Sequence, residues 1–154
     1  LILVEQEFSP DRDAAHEIIS ELGIADNVRW ESSPNQNGFS WKELAGLYQK
    51  SNVVADDFGG IGWYGGVALE GLMSGLPVMS DIDEQLLGEL YGDIYHPFIN
   101  VLTPPEIEEA LFSLADTEYR DSVGKFSREW ALENHGRQKV AGLFIQRLIQ
   151  CGMF

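Results

Sequence analysis

The stretch Asp56-Asp57-Phe58-Gly59-Gly60-Ile61-Gly62-Trp63-Tyr64-Gly65-Gly66-Val67-Ala68-Leu69-Glu70-Gly71-Leu72-Met73-Ser74-Gly75 decides the fold. Seven of the seventeen residues from Gly59 to Gly75 are glycine, and Glu70 is the only charge between Asp57 and Asp81. An apolar run, Asn52-Val53-Val54-Ala55, feeds this loop, and a second, Leu76-Pro77-Val78-Met79, follows the helix that the loop opens. The pattern predicts a strand–glycine loop–helix–strand unit. A helix beginning in glycines presents bare backbone N–H groups at its positive end, where an anion is favoured. Gly66, Glu70 and Ser74 recur at one-turn spacing and share a face, while Val67, Leu69, Leu72 and Met73 cover the other sides.

Working outward, strands and helices alternate. Leu1–Val4 reads as a buried strand, followed by a helix that starts at Ser9-Pro10-Asp11, carries Ala14, Ile18, Ile19 and Leu22, and closes at Gly23. Asn27–Trp30 is predicted as the second strand, and Glu31–Gly38 as a loop. Ser40-Trp41-Lys42-Glu43 is a capping box opening a helix with Leu44, Leu47 and Tyr48 on its apolar face. Val53–Ala55, Pro77–Met79 and His96–Val101 complete the strands, the last edge-like because Pro97 lacks a donor. An acidic helix is expected over Asp83–Tyr91. Thr103-Pro104-Pro105-Glu106 is a second capping box. Tyr119–Asn134 and Gly136–Gln150 read as amphipathic helices, the last with Val140, Leu143, Phe144 and Leu148 inward. The order implies an α/β fold: a Rossmann-like parallel sheet flanked by helices, with extra C-terminal helices. Residues 1–154 form one expected domain. The opening Leu-Ile-Leu-Val has no Met and leads straight into a strand, so the chain is expected to be a piece of a longer one.

Composition bounds the partners. With 44% hydrophobic and 23% charged residues the chain reads as folded, and its net charge of −15 argues against nucleic acid or an anionic membrane face as a direct partner. That acidity reads as solubility or salt adaptation. The single Cys151 excludes an internal disulfide framework, and no apolar run approaches a membrane span. A cytoplasmic location is the expectation. His16, His96 and His135 show no metal-binding spacing, so no metal is expected. Neither a Walker loop nor a Gly-x-Ser-x-Gly elbow is present. Asp56-Asp57 with Ser80 resembles a phosphoacceptor receiver, but Leu102-Thr103-Pro104 stands where that family needs Lys-Pro.

The carboxyl ends of parallel strands are where such sheets hold ligands, and the glycine unit dominates that rim. Glycines there also serve a tight strand–helix turn. An acid on a mostly apolar helix favours the binding reading, because an unpartnered buried carboxylate is costly. On that reading the N–H groups of Gly65, Gly66 and Val67 cradle a phosphate and Glu70 accepts from ribose hydroxyls.

The segment Gly62–Val78, GWYGGVALEGLMSGLPV, resembles the donor-site motif of retaining GT-B glycosyltransferases of the family-4 type. LGIADNVRW and ELAGLYQKSNVVADDF upstream, and TPPEIEEALFSLADTEYRDSVGKFSREWALENH downstream, are similar to that family's neighbouring elements in the same order. The resemblance implies half of a GT-B fold, its donor-binding C-terminal domain. Glu70 then holds the donor ribose, Gly65, Gly66 and Val67 take the diphosphate, and the Glu31–Gly38 loop borders the base. The implied substrate is a nucleoside-diphosphate sugar, with no cofactor and no metal. A hexose would pass from it to an acceptor hydroxyl. The family's first glutamate falls on Gly62, so its sugar contact is missing or comes from elsewhere: Asp57 is one candidate, and Trp63 or Tyr64 could stack on a sugar. The family's diphosphate-gripping Arg and Lys, and its acceptor-binding N-terminal domain, lie outside this chain, which alone is expected to catalyse little or nothing. A homodimer through a truncated sheet edge is the expected risk. The alternative is a non-catalytic module that binds a nucleotide sugar or a partner protein.

Overall fold

Successive residues of the strand Val78–Ser80 point to opposite sides and are buried on both, which is how a central parallel strand differs from an edge. The computed structural model describes residues 1–5, 11–33, 38–60, 62–92 and 95–153. Ser9 and Pro10 of the first helix start, and residues 34–37 of the loop placed near the base, lie outside the described residues. The chain divides into two compact units, Leu1–Leu44 and Ala45–Phe154.

In the first unit, β1 (Ile2–Glu5) pairs in parallel with β2 (Arg29–Ser32), Ile2 opposite Arg29 and Glu5 opposite Ser32. Helix α1 (Arg12–Glu21) connects them, and the His16 ring stacks on Trp30 with centroids 4.1 Å apart. The second strand begins two residues later than the sequence suggested. Ala25–Asn27 forms a 3-10 turn closed by the Asn27 N–H to the Ile24 carbonyl, the turn chemistry that Asp26 and Asn27 favour. Full burial of β1 is also corrected. Leu1 is 74% and Val4 49% exposed, since β1 has one hydrogen-bonded neighbour among the described residues.

Helix α2 (Trp41–Tyr48) opens as its capping box requires: the Ser40 N–H donates to Glu43 Oε2 at 2.7 Å. In the second unit β3 (Val54–Ala55), β4 (Val78–Ser80) and β5 (Phe98–Asn100) form a parallel sheet in that order. Helix α3 (Gly66–Met73) lies against it so closely that a Cβ on Gly71 would stand 3.0 Å from Val54 and Val78. One core cluster joins Val54, Ala68, Leu72, Val78, Phe98 and Trp130. A second joins Met79, Val101 and Leu114. Val78 and Met79 are neighbours in β4 and serve the two clusters separately, so the sheet is covered on both faces.

Helices α4 (Glu84–Tyr91), α5 (Pro104–Leu114), α6 (Thr117–His135) and α7 (Arg137–Gln150) complete the unit. The capping box at Thr103 is present, Thr103 N–H donating to Glu106 Oε2 at 2.8 Å. The inward face expected of α7 is largely exposed. Val140, Leu143 and Phe144 are 48%, 49% and 64% exposed, Leu148 is partly buried, and no residue of α7 is fully buried; the helix packs mainly on α6. The architecture is Rossmann-like α/β, with parallel strands and flanking helices. Among the described residues no helix is long and apolar enough to cross a membrane.

Candidate functional site

The carboxyl ends of β3 and β4 release the chain at Asp56-Asp57 and Asp81-Ile82-Asp83, and these four acids do most of the loop's shaping. The Asp57 carboxylate accepts from the Gly59 N–H at 2.7 Å, and its carbonyl accepts from the Asp81 N–H at 2.8 Å. The Gly62 N–H donates to Asp81 Oδ2 at 3.2 Å and its carbonyl accepts from the Asp83 N–H at 2.8 Å. Asp83 then caps α4, accepting from the Leu86 N–H. Gly62 has φ +70°, and a Cβ there would stand 3.1 Å from the Asp83 Cβ. Both features select glycine.

Trp63 and Tyr64 anchor the loop in the unit's interior. The Tyr64 ring stacks between Trp63 and Phe98, centroids 4.7 and 4.8 Å away, and meets Trp130 edge-on. Both faces of Tyr64 are thereby occupied, which leaves no face for a sugar. Its hydroxyl lies 2.7 Å from the Tyr91 hydroxyl and 3.0 Å from His135 Nε2. Burial holds His135 below its usual pKa. Trp63 is partly buried, with one face given to Tyr64.

Gly65 is the N-cap of α3, and its N–H donates to Asp56 Oδ2 at 2.8 Å. A carboxylate of the chain itself therefore holds one of the three amides that the sequence assigned to a phosphate. Gly66 and Val67 are exposed, and nothing lies within 4 Å of the position a Gly66 Cβ would take. Amides in a first helical turn have no intrahelical acceptor, so these two face outward from an open helix start. Glu70 follows one turn later, half-buried, while Ala68, Gly71 and Leu72 carry the buried side. Its Oε2 accepts from the Tyr48 hydroxyl at 2.8 Å. Burial, then the hydrogen bond and charge of Glu70, push the Tyr48 phenol well up, so it remains a donor.

The structure thus brings Gly66, Val67 and Glu70 to one accessible face and makes Gly62 and Asp57 parts of the loop's own frame. Sequence reasoning missed Tyr48 and Asp56 as partners of that face. Helical spacing puts Tyr48 only on an apolar stripe; the lone acid on an apolar helix is the signal that a partner is needed. At the ends of β4 and β5 a second cluster forms: His96 Nε2 lies 3.0 Å from Glu84 Oε2, and Asn100 clamps both backbone atoms of Ile82 at 2.9 Å. The His96 contact lowers the Glu84 pKa. Among the described residues no group of three His, Cys, Asp or Glu side chains could hold a metal ion.

No family model matches the sequence, and no curated protein does. A structural likeness extends over 92% of the chain: the crystal structure of Anabaena HepE in complex with UDP-glucose superposes with a TM-score of 0.62 at 20% identity. This chain spans 40% of HepE. At that identity the likeness shows the fold, and the fold is the Rossmann-like one built above.

Proposed function

We propose that this chain is the donor-binding part of a GT-B glycosyltransferase of the family-4 type, which takes up a nucleoside-diphosphate hexose for transfer to an acceptor hydroxyl. One observation carries the reading: Glu70 stands half-buried a turn beyond the open amides of Gly66 and Val67, with its carboxylate already aimed by Tyr48. Amides at a helix start suit a diphosphate, and a carboxylate one turn away suits the ribose hydroxyls. A fold shared with a protein crystallised with UDP-glucose supports the same ligand class.

On this reading charge developing on the leaving diphosphate is met by Gly66 and Val67 N–H groups and the helix terminus, without a metal. Gly65 contributes less, its amide being engaged by Asp56. Acceptor binding belongs to a further domain, and the isolated chain binds without catalysing. A second reading, a non-catalytic sugar-nucleotide or partner-binding module, is favoured by Gly62, whose backbone excludes the acid that the resemblance puts there.

Calorimetry with UDP-, GDP- and ADP-sugars on the wild type and Glu70→Ala tests the donor pocket. Binding of one sugar nucleotide that Glu70→Ala weakens about tenfold or more supports it. Binding by neither protein leaves the partner-protein reading. Sugar transfer by a longer protein containing this chain separates enzyme from module.

A further inference from the structure

Tyr48 closes α2, and its ring packs half-buried against the cluster around Leu72 and Val78, fixing where its hydroxyl points. That hydroxyl meets Glu70 Oε2 at 2.8 Å. A phenol has one proton to give and a carboxylate only accepts, so the direction of the bond is unambiguous. A glutamate on an accessible helix face otherwise samples many rotamers, and it loses that freedom on meeting a ligand. Here the loss is already taken in the free protein. Tyr48 occupies one lone pair of Oε2, and Oε1 has no partner among the described residues.

We propose that Tyr48 is a positioning residue that pre-sets Glu70 for the vicinal hydroxyls of a ribose, and so makes the site discriminate ribonucleotides from deoxyribonucleotides. The inference rests on the sugar-nucleotide reading above and adds a residue to it. A carboxylate held at one geometry rewards a cis-diol that donates to it. It also penalises a sugar lacking those hydroxyls, because the fixed carboxylate is then desolvated without a donor. A carboxylate free to swing back to water pays no such penalty. The preference therefore comes from Tyr48 acting through Glu70.

Removing only the hydroxyl tests this. Glu70 is only partly buried, so its carboxylate can hydrate in Tyr48→Phe, and a thermal melt checks that the variant keeps its fold. Calorimetry is run with UDP and 2′,3′-dideoxy-UDP on both proteins. The expected result is a wild type that prefers UDP, and a Tyr48→Phe variant whose UDP affinity falls about three- to tenfold while its dideoxy-UDP affinity changes less than about twofold. A parallel fall in both affinities, or no change in either, overturns the positioning role. A wild type that binds both nucleotides equally overturns it while leaving nucleotide binding intact. A wild type that binds neither these nor their GDP and ADP counterparts overturns the sugar-nucleotide reading and this assignment together.

Discussion

Gly62 and Asp83 are fastened backbone to backbone: the Asp83 N–H donates to the Gly62 carbonyl at 2.8 Å, and the two Cβ positions would stand 3.1 Å apart if Gly62 had one. The glycine loop and the start of α4 are therefore built as one piece. Gly62 sits at φ +70°, where an L residue costs about 1 kcal/mol before any contact is counted. Gly62→Glu, which supplies the acid that the resemblance puts there, is expected to destabilise the protein by roughly 1–3 kcal/mol and to bring no gain in sugar-nucleotide affinity. Denaturant unfolding with parallel calorimetry checks both; a stable variant that binds more tightly contradicts the geometry.

Asp56 holds the Gly65 amide at 2.8 Å and carries a negative charge at the helix end proposed for a diphosphate. Unit charges about 4 Å apart in water interact by ~1 kcal/mol. Asp56→Asn keeps an oxygen to accept from Gly65 and removes the charge. Its UDP affinity is expected to rise roughly fivefold at low salt, with the gain shrinking as salt screens the pair. Unchanged affinity at every salt concentration would show that Asp56 lies outside the ligand's field.

Gly124 lies in α6 where a Cβ would come 2.3 Å from the Gly75 carbonyl oxygen. Alanine in a helix ordinarily gains about 1 kcal/mol over glycine. Here the obstacle is backbone, which must shift by about an ångström, and overpacking of that kind costs about 1–3 kcal/mol. The overlap wins, so Gly124→Ala is expected to lower the melting temperature. Gly142, with nothing within 4 Å, is the control at which alanine raises it. A rise at both positions contradicts the close approach of α6 to the turn after α3.

His135 is bonded at Nε2 to the hydroxyls of Tyr64 and Tyr91, and burial lowers its pKa from 6.5. With the folded value depressed, the unfolded chain takes up a proton first as pH falls. Stability tied to this group is full above the unfolded value and is lost as pH drops through the folded one. Urea midpoints measured from about pH 7.5 to about pH 5 are expected to fall less steeply in His135→Gln than in the wild type. Carboxylates titrate in both proteins, so the difference isolates the histidine, and equal slopes contradict the assignment.

Much of the fold was legible because its signals are local. Val78-Met79-Ser80 is a short apolar run between glycine and aspartate punctuation, and Ser40/Glu43 and Thr103/Glu106 announce helix starts through partners three residues apart. The 3-10 turn at Ala25–Asn27 was lost because its last residue, Asn27, read as the first of a strand. The exposure of Phe144 was lost because periodicity gives a helix an apolar face without saying what covers it. The candidate site divides the same way. The alignment of Gly66, Glu70 and Ser74 follows from helical spacing, whereas Tyr48 meets Glu70 across 22 residues of sequence, and Asp56 reaches Gly65 by a loop whose path no propensity encodes. Tyr64 looked like a sugar platform from its place beside glycines; its neighbours Phe98, Tyr91 and His135 come from three later elements.

The proposed donor site stands on one contact, that of a nucleoside diphosphate with the first turn of α3. Amide NMR titration of the isotope-labelled chain with UDP measures that contact directly. Saturable shifts are expected, largest at Gly66 and Val67, with Glu70 following and the exposed face of α7 unmoved. Saturation with those two amides stationary, or no shifts at millimolar UDP, GDP or ADP, would contradict it.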